Sequence, residues 1–187
     1  MSRAQAYRYN AGMRQVLRLH PDSLCLAANH IEVEIERPRA GSLLLSFIVT
    51  GEVGGLRLPP VAAAARTDEL WRHTCFEAFI RPSPGTGYYE FNFAPSTQWA
   101  AYRFDSYRSG MRIAEEVSAT RLEAQSAPER YILHAALELP PTRGNPWRLG
   151  LAAVIEETSG RKSYWALAHP PGKPDFHHSD CFALELS

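Results

Sequence analysis

The chain has 187 residues, of which 45% are hydrophobic and 21% charged, the balance of an ordinary globular protein with a core of its own. Twenty Lys and Arg residues offset twenty Asp and Glu residues, so the chain lacks the basic surplus that nucleic acid or an anionic membrane selects. A net charge of zero also gives little electrostatic repulsion between copies of the chain, so a homodimer is compatible with the composition. We expect a single domain over residues 1–187.

The targeting and redox features of the sequence indicate a cytoplasmic protein. Residues 1–10 lack the apolar stretch of a signal peptide, and no run approaches the ~18 apolar residues of a membrane span. Cys25, Cys75 and Cys181 are odd in number and widely spaced, which fits neither a disulfide framework nor a zinc site. We therefore expect reduced, mostly buried thiols, no metal site, and no membrane or nucleic-acid partner.

Short segments of β-type composition, separated by turn signals, follow one another along the chain. In chain order, the predicted strands are Met13–His20, Ile31–Glu36, Ser42–Thr50, Cys75–Arg81, Tyr88–Ala94, Trp99–Asp105, Thr120–Gln125, Tyr131–Leu139, Trp147–Glu156, Ser163–Leu167 and Cys181–Leu186. The only stretch with helical character is Ala62–Trp71, and its end also fits a turn. About ten strands with almost no helix predict an all-β fold, an antiparallel two-sheet β-sandwich of jelly-roll type.

A predicted β-hairpin lies at the centre of this arrangement. Its strands, Cys75–Arg81 and Tyr88–Ala94, are joined by a loop rich in Pro and Gly. Symmetric closure of the loop places Phe79 opposite Glu90 and gives the hairpin one apolar face. The other face is unusually polar for the middle of a chain, with Glu77, Arg81, Tyr88, Glu90 and Asn92.

The register of the third strand, Trp99–Asp105, determines which residues join that polar face. A four-residue loop places Arg103 opposite Glu90. A three-residue loop places Tyr102 opposite Glu90 and sends Arg103 towards the core. We favour the first register because it pairs opposite charges across strands and avoids a buried, lone Arg.

Five separated segments resemble the bacterial DOMON-like proteins, which are similar to family 9 carbohydrate-binding modules. The resemblance extends from about residue 13 to the C-terminus. Its segments are Leu70–Phe79, Tyr89–Ser96, Trp99–Phe104, Tyr107–Gly110 and His169–His178.

The resemblance implies a jelly-roll sandwich that binds a sugar or haem on one face. For a sugar, it implies that Trp71 and Trp99 form aromatic walls, with Glu77, Glu90, Asn92 and Arg103 as polar contacts. For haem, it implies Met111 and one histidine as axial ligands, chosen from His169, His177 and His178. We expect no cofactor, and haem is the alternative.

The paired carboxylates Glu77 and Glu90 permit two interpretations. Two carboxyl groups beside a sugar are what a glycosidase requires, which would make the protein a small sugar-acting hydrolase or isomerase. Alternatively, Glu90 pairs with Arg103, and Glu77 pairs with Asn92 or Arg81, in a satisfied polar network. We favour contact with a ligand, or a structural role, over catalysis and assign no catalytic residue.

The Pro-rich tail loop is the remaining candidate for binding. Its polar side chains Lys173, Asp175 and His177 are held by prolines that restrict the loop, which lowers the entropy lost on binding. The alternative is that the loop only covers one end of the fold, with Phe176 as a plug. The leading hypothesis is a non-catalytic domain that binds a carbohydrate or another small polar molecule.

Overall fold

The computed structural model describes residues 12–39, 41–117, 121–140 and 146–186. These residues form twelve β-strands and three short 3₁₀ turns, with no α-helix among them. The strands are β1 (Met13–Leu19), β2 (Ala28–Glu36), β3 (Ser42–Gly51), β4 (Cys75–Pro82), β5 (Tyr88–Phe93), β6 (Trp99–Phe104), β7 (Arg112–Ile113), β8 (Arg121–Ala127), β9 (Arg130–Glu138), β10 (Trp147–Glu156), β11 (Lys162–Ala166) and β12 (Leu184–Leu186). The 3₁₀ turns are Val53–Gly55, Leu70–Arg72 and Ser179–Cys181.

All strand pairs are antiparallel and join into one curled sheet that resembles a half-barrel. The order is β7-β6-β5-β4-β10-β11-β1-β2-β3-β9-β8, and β12 pairs with β10. The strand β1 links the two halves, because Arg18 and Leu19 pair with β11 while residues 13–17 pair with β2. The all-β, antiparallel prediction is confirmed.

The main core lies between the two halves of this sheet. Phe47 of β3 contacts Phe76 of β4, with ring centroids 5.1 Å apart, and Phe76 stacks on Tyr131 of β9 at 6.0 Å. The period-2 alternation of the strands places these side chains on the inner face, where Phe47 and Phe76 have no solvent exposure. Burial of each such ring contributes about 1.5–3 kcal/mol relative to exposure, so this face fixes the register of the surrounding strands.

The central hairpin has the predicted register. Phe79 lies opposite Glu90 and Glu77 opposite Asn92, with an apolar inner face and a polar outer face. The favoured register of β6 is wrong, because Tyr102, and not Arg103, lies opposite Glu90. A tight turn sets this register: the backbone amide of Ala94 donates to the carbonyl of Gln98, which leaves only three residues between them.

Three further predictions need correction or fall partly outside the described residues. Ala62–Trp71 contains no helix, and only its end enters a 3₁₀ turn. Cys181–Leu186 is only partly extended, since its first residue ends another 3₁₀ turn. The strand predicted at Thr120–Gln125 appears as β8, although Thr120 lies outside the described residues.

No helix in the described part of the chain is long and apolar enough to cross a membrane.

Candidate functional site

A second, smaller cluster lies on the outer face of the hairpin half of the sheet. It packs aromatic side chains of β4, β5 and β6 against Phe176 and Phe182 from the C-terminal segment. This segment lies close to the sheet because β10 carries a glycine there. A Cβ atom at Gly150 would lie 3.0 Å from the carbonyl oxygen of Cys181 and 3.4 Å from the Cβ of Phe79.

An open cleft of about 470 Å³ remains beside this cluster. Its walls come from four places: the outer face of the sheet, the 3₁₀ turn at Leu70–Arg72, the turn after β6, and the Pro-rich C-terminal segment. The side chains that line it are Trp71, Arg72, Glu77, Glu90, Phe104, Arg108, Met111, Val154, Lys162, Tyr164, Pro174, Phe176 and His177.

Glu77 is the most unusual residue of this cleft. Only 3% of the residue is exposed, and its carboxyl group has no hydrogen-bond donor within the described part of the chain. Burial raises the pKa of Glu77 well above its usual range, the neighbouring Glu90 raises it further, and Arg108 only partly opposes this. The carboxyl group opens onto the cleft, so a ligand there could supply the hydrogen-bond partner that the protein does not.

Among the described residues, Glu90 has a hydrogen-bond donor, which Glu77 lacks. The side-chain amide of Asn92 donates to Glu90 Oε1 at 2.8 Å, and His177 Nε2 faces Glu90 Oε2 at 3.7 Å. Burial raises the pKa of Glu90, whereas the Asn92 hydrogen bond and Arg108 oppose the rise. Burial lowers the pKa of His177 to about 4, with a further contribution from Arg108, so this imidazole is neutral at pH 7.

An ion pair joins the C-terminal segment to the turn after β6. Arg108 contacts Asp175 Oδ1 at 2.7 Å, and the Tyr107 hydroxyl donates to Asp175 Oδ2 at 2.5 Å. Gly110 (φ 68°) allows the turn, because a Cβ atom there would lie 2.2 Å from a carboxylate oxygen of Asp105. The backbone amide of Arg108 also donates to the Tyr88 hydroxyl at 3.2 Å, so one turn fixes this wall of the cleft.

The opposite wall presents an exposed aromatic ring. Trp71 is 46% exposed in the 3₁₀ turn, with the guanidinium carbon of Arg72 5.4 Å from its ring centroid. The Lys162 ammonium donates to the backbone carbonyl of Arg72 at 2.5 Å and ties this turn to β11. Large exposed aromatic groups beside polar side chains are typical of binding sites, because they offer flat apolar contact at low entropic cost.

The structure brings together four of the nine residues predicted for binding. Trp71, Glu77, Glu90 and His177 line the cleft. Asn92 is fully buried behind it and acts on Glu90. Asp175 holds Arg108, and Lys173 is exposed outside the cleft lining.

The structure places two predicted contacts, Trp99 and Arg103, away from the cleft. Trp99 belongs to the inner core, where Arg66 stacks on its ring at 4.4 Å. Arg103 pairs with Glu116 at 3.2 Å and lines a separate groove of about 430 Å³. Both differences follow from the one-residue shift of β6, which exchanges the two faces of the strand relative to the predicted pairing with Glu90.

The sequence reasoning missed several residues of the cleft wall. Arg108 lies in the segment Tyr107–Gly110, which was noted only for its resemblance. Lys162 lies just before the predicted strand Ser163–Leu167, and Tyr164 lies on that strand, which was given no part in the site. The alternation of β11 contained a signal, since Trp165 points inward and its neighbours must therefore point outward.

Of the nominated haem ligands, Met111 and His177 line the cleft, whereas His169 and His178 do not. His169 Nε2 is instead within 2.8 Å of the backbone carbonyl of Arg18. Among the described residues, no cluster of three or more His, Cys, Asp or Glu side chains could hold a metal ion. Burial raises the pKa of the Cys75 thiol well above its usual range, as expected for an inert core cysteine.

The fold is similar to those of solved carbohydrate-binding proteins, although no family model and no curated protein matches the sequence. A candidate carbohydrate-binding protein of Bacteroides uniformis is 14% identical, with a TM-score of 0.62 over 91% of this chain and 84% of that one. Two structures of a family 9 carbohydrate-binding module from Caldicellulosiruptor kristjanssonii have TM-scores of 0.51. The complex with cellotriose is 13% identical and the complex with glucose 12%, each over 88% of this chain and over 76% and 78% of those chains. At such identities the likeness shows the fold alone.

Proposed function

We propose that this protein binds a carbohydrate in the cleft between Trp71 and the Arg108 turn, without acting on it chemically. The observation that supports this most directly is Glu77, a buried carboxyl group in the cleft that no described side chain or backbone group satisfies. Sugar hydroxyl groups could fill that role, while an apolar face of the sugar ring stacks on Trp71. The finer assignment, a jelly-roll sandwich of the DOMON-like and family 9 type, belongs to the same proposal.

The fold neighbours support a sugar as the ligand class, since one of them is described in complex with cellotriose and glucose. The chemistry of the cleft supports it independently. Its lining combines an exposed indole with carboxyl, guanidinium and ammonium groups, which can exchange hydrogen bonds with several hydroxyl groups at once.

The test is calorimetric titration with a panel of neutral mono- and disaccharides that includes glucose and cellobiose. We expect measurable heat with at least one sugar, and an affinity at least about tenfold weaker for Trp71→Ala because the stacking surface is lost. Val61→Ala is the matched control, since Val61 is 73% exposed and lies outside the cleft lining. No heat with any sugar, or unchanged affinity in Trp71→Ala, would refute the proposal.

A second candidate, a sugar hydrolase or isomerase, is favoured by the raised pKa of Glu77, which is the property of a general acid. It predicts turnover of nitrophenyl glycosides that Glu77→Gln and Glu90→Gln both abolish. Binding of sugars without turnover would leave the non-catalytic function.

Haem is the remaining alternative, because Met111 and His177 both line the cleft. The His177 ring is already engaged: Nδ1 is 2.8 Å from the Tyr88 hydroxyl and Nε2 faces Glu90. Addition of haem to the purified protein tests this, since axial ligation would shift and sharpen the Soret band of free haem, and Met111→Leu would reduce that change.

A further inference from the structure

The two carboxyl groups of the cleft differ in the donors that surround them. The amide of Asn92 and the imidazole of His177 both face Glu90, at 2.8 Å and 3.7 Å. No described group donates to Glu77, although it lies diagonally across one strand pair from Glu90 on the same face. One hydrogen bond from the protein, donated by Asn92, therefore stabilises a negative charge on Glu90, and no described group does so on Glu77.

The nearest cation does not remove this difference. Arg108 is committed to Asp175 at 2.7 Å, and Tyr107 shares the same carboxylate. The charges that act on Glu77 are those of Glu90 on β5 and Arg108 after β6, and Cys75 lies on its own strand. The other titratable or charged groups of the cleft are Lys162 and Tyr164 on β11, Arg72 in the 3₁₀ turn and His177 in the C-terminal segment.

We infer that Glu77 carries a proton at neutral pH and donates a hydrogen bond to the ligand, while the ionised Glu90 accepts one. Rather than an ammonium or carboxylate group, the pair recognises two neighbouring hydroxyl groups of a neutral sugar. One hydroxyl oxygen accepts from Glu77, and the adjacent hydroxyl donates to Glu90. The inference rests on the proposed sugar site and adds the direction of each hydrogen bond.

The charges of the cleft walls agree with a neutral ligand. Arg72, Arg108 and Lys162 line the same cleft, so an ammonium group would approach two carboxyl groups and three cations together. With Glu77 protonated, the site offers one carboxylic donor and one carboxylate acceptor. A neutral diol matches this pair without introducing a charge. Burial raises the pKa of Glu77 above that of an ordinary glutamate, in the same direction.

The first test is NMR of the carboxyl carbons in the unliganded protein and needs no ligand. We expect the Glu77 resonance, identified by its loss in Glu77→Gln, to keep the chemical shift of a protonated acid at pH 7. Glu90 should have the shift of a carboxylate. Titration of Glu77 in the ordinary glutamate range would overturn the inference, even if sugars bind.

The second test compares glucose with glucosamine in the wild type, Glu77→Gln and Glu90→Gln. Glutamine can still donate but is a weaker donor than a carboxylic acid, so we expect Glu77→Gln to weaken glucose binding by about threefold, while Glu90→Gln loses about tenfold or more. Wild-type affinity should fall by at most about tenfold per pH unit once Glu77 ionises. Preference for glucosamine, or the reverse order of the two variants, would overturn the inference. If no sugar binds at all, the proposed function fails, and the NMR titration alone decides the protonation of Glu77.

Discussion

Two pairs of glutamates expose almost the same small fraction of their surface in this protein and have different surroundings. Glu156 and Glu157, at the end of β10, are 4% and 5% exposed, and Glu77 and Glu90, in the cleft, are 3% and 5% exposed. Burial alone would raise the pKa of all four. At Glu156 and Glu157 the donors around the carboxylate outweigh burial and lower the pKa, whereas in the cleft burial prevails.

Two things differ: Glu77 and Glu90 lie deeper among protein atoms, and fewer donors surround them. Glu157 accepts from the backbone amides of Leu26 and Ala27 at 2.6 and 2.9 Å and pairs with Arg161 at 3.2 Å. No comparable set surrounds Glu77. A carboxylate with a structural role is surrounded by hydrogen-bond donors from the protein. A carboxyl group in a cleft that lacks such donors can form its hydrogen bonds with a ligand instead. The same substitution, Glu→Gln, at these positions should therefore have effects of different sign.

Glu157→Gln should produce the largest change. Loss of the charge weakens two hydrogen bonds from backbone amides and removes the pair with Arg161, so we expect the free energy of unfolding to fall by about 3 kcal/mol. Chemical denaturation at pH 7 measures it. Glu185→Gln is the control, because its ion pair is long, at 3.8 Å, and its side chain is 61% exposed. A loss below about 1 kcal/mol would mean that these donors do not stabilise the carboxylate.

Glu77→Gln should instead stabilise the protein at pH 7. The pKa of Glu77 is raised in the folded state, so its contribution to stability is complete below the unfolded pKa of about 4.3. That contribution is lost as the pH rises towards the folded pKa, because the unfolded chain releases the proton first. Glutamine has no proton to release, and the advantage of the variant should therefore appear only above about pH 4.

Denaturation of wild type and Glu77→Gln at pH 4 and pH 7 provides the measurement. Destabilisation of Glu77→Gln at both pH values would contradict the prediction. It would mean that Glu77, like Glu157, stabilises the fold as a carboxylate. An equal gain at both pH values would point to better packing of the amide rather than to the proton.

The polar face of the hairpin could be predicted from the sequence, but the supply of donors could not. Alternation and a symmetric loop were sufficient to place Glu77 and Glu90 on one face, because strand periodicity is a local property. The donors to Glu157 come from residues about 130 positions earlier in the chain, at separations that no local pattern encodes. The cleft wall likewise combines Trp71, Arg108 and His177 from distant segments.

The error in the β6 register has an energetic cause. The prediction relied on an ion pair between Arg103 and Glu90, but a cross-strand pair contributes only about 0.2–1 kcal/mol. The turn at residues 94–98 and the burial of Trp99 outweigh that contribution. In the observed register Arg103 stays outside the core, because it lies near the margin of the sheet. There it pairs with Glu116 and lies over the ring of Tyr89.

Glu156→Gln should have the smallest effect and the opposite pH dependence to Glu77→Gln. Its partners, Arg57 at 2.9 Å and His73 at 2.7 Å, are 59% and 64% exposed, so solvent screens both pairs and we expect a loss of only about 1 kcal/mol at pH 7. The pKa of Glu156 is lowered in the folded state. Its contribution is therefore present above the unfolded pKa of about 4.3 and is lost as the pH falls through the folded value.

The difference in the free energy of unfolding between wild type and Glu156→Gln should vanish in acid. It should also shrink in ~1 M salt, which screens exposed charges. A gap that persists in acid would mean that the amide disturbs packing at the end of β10, and the contrast with the cleft would then rest on Glu157 alone.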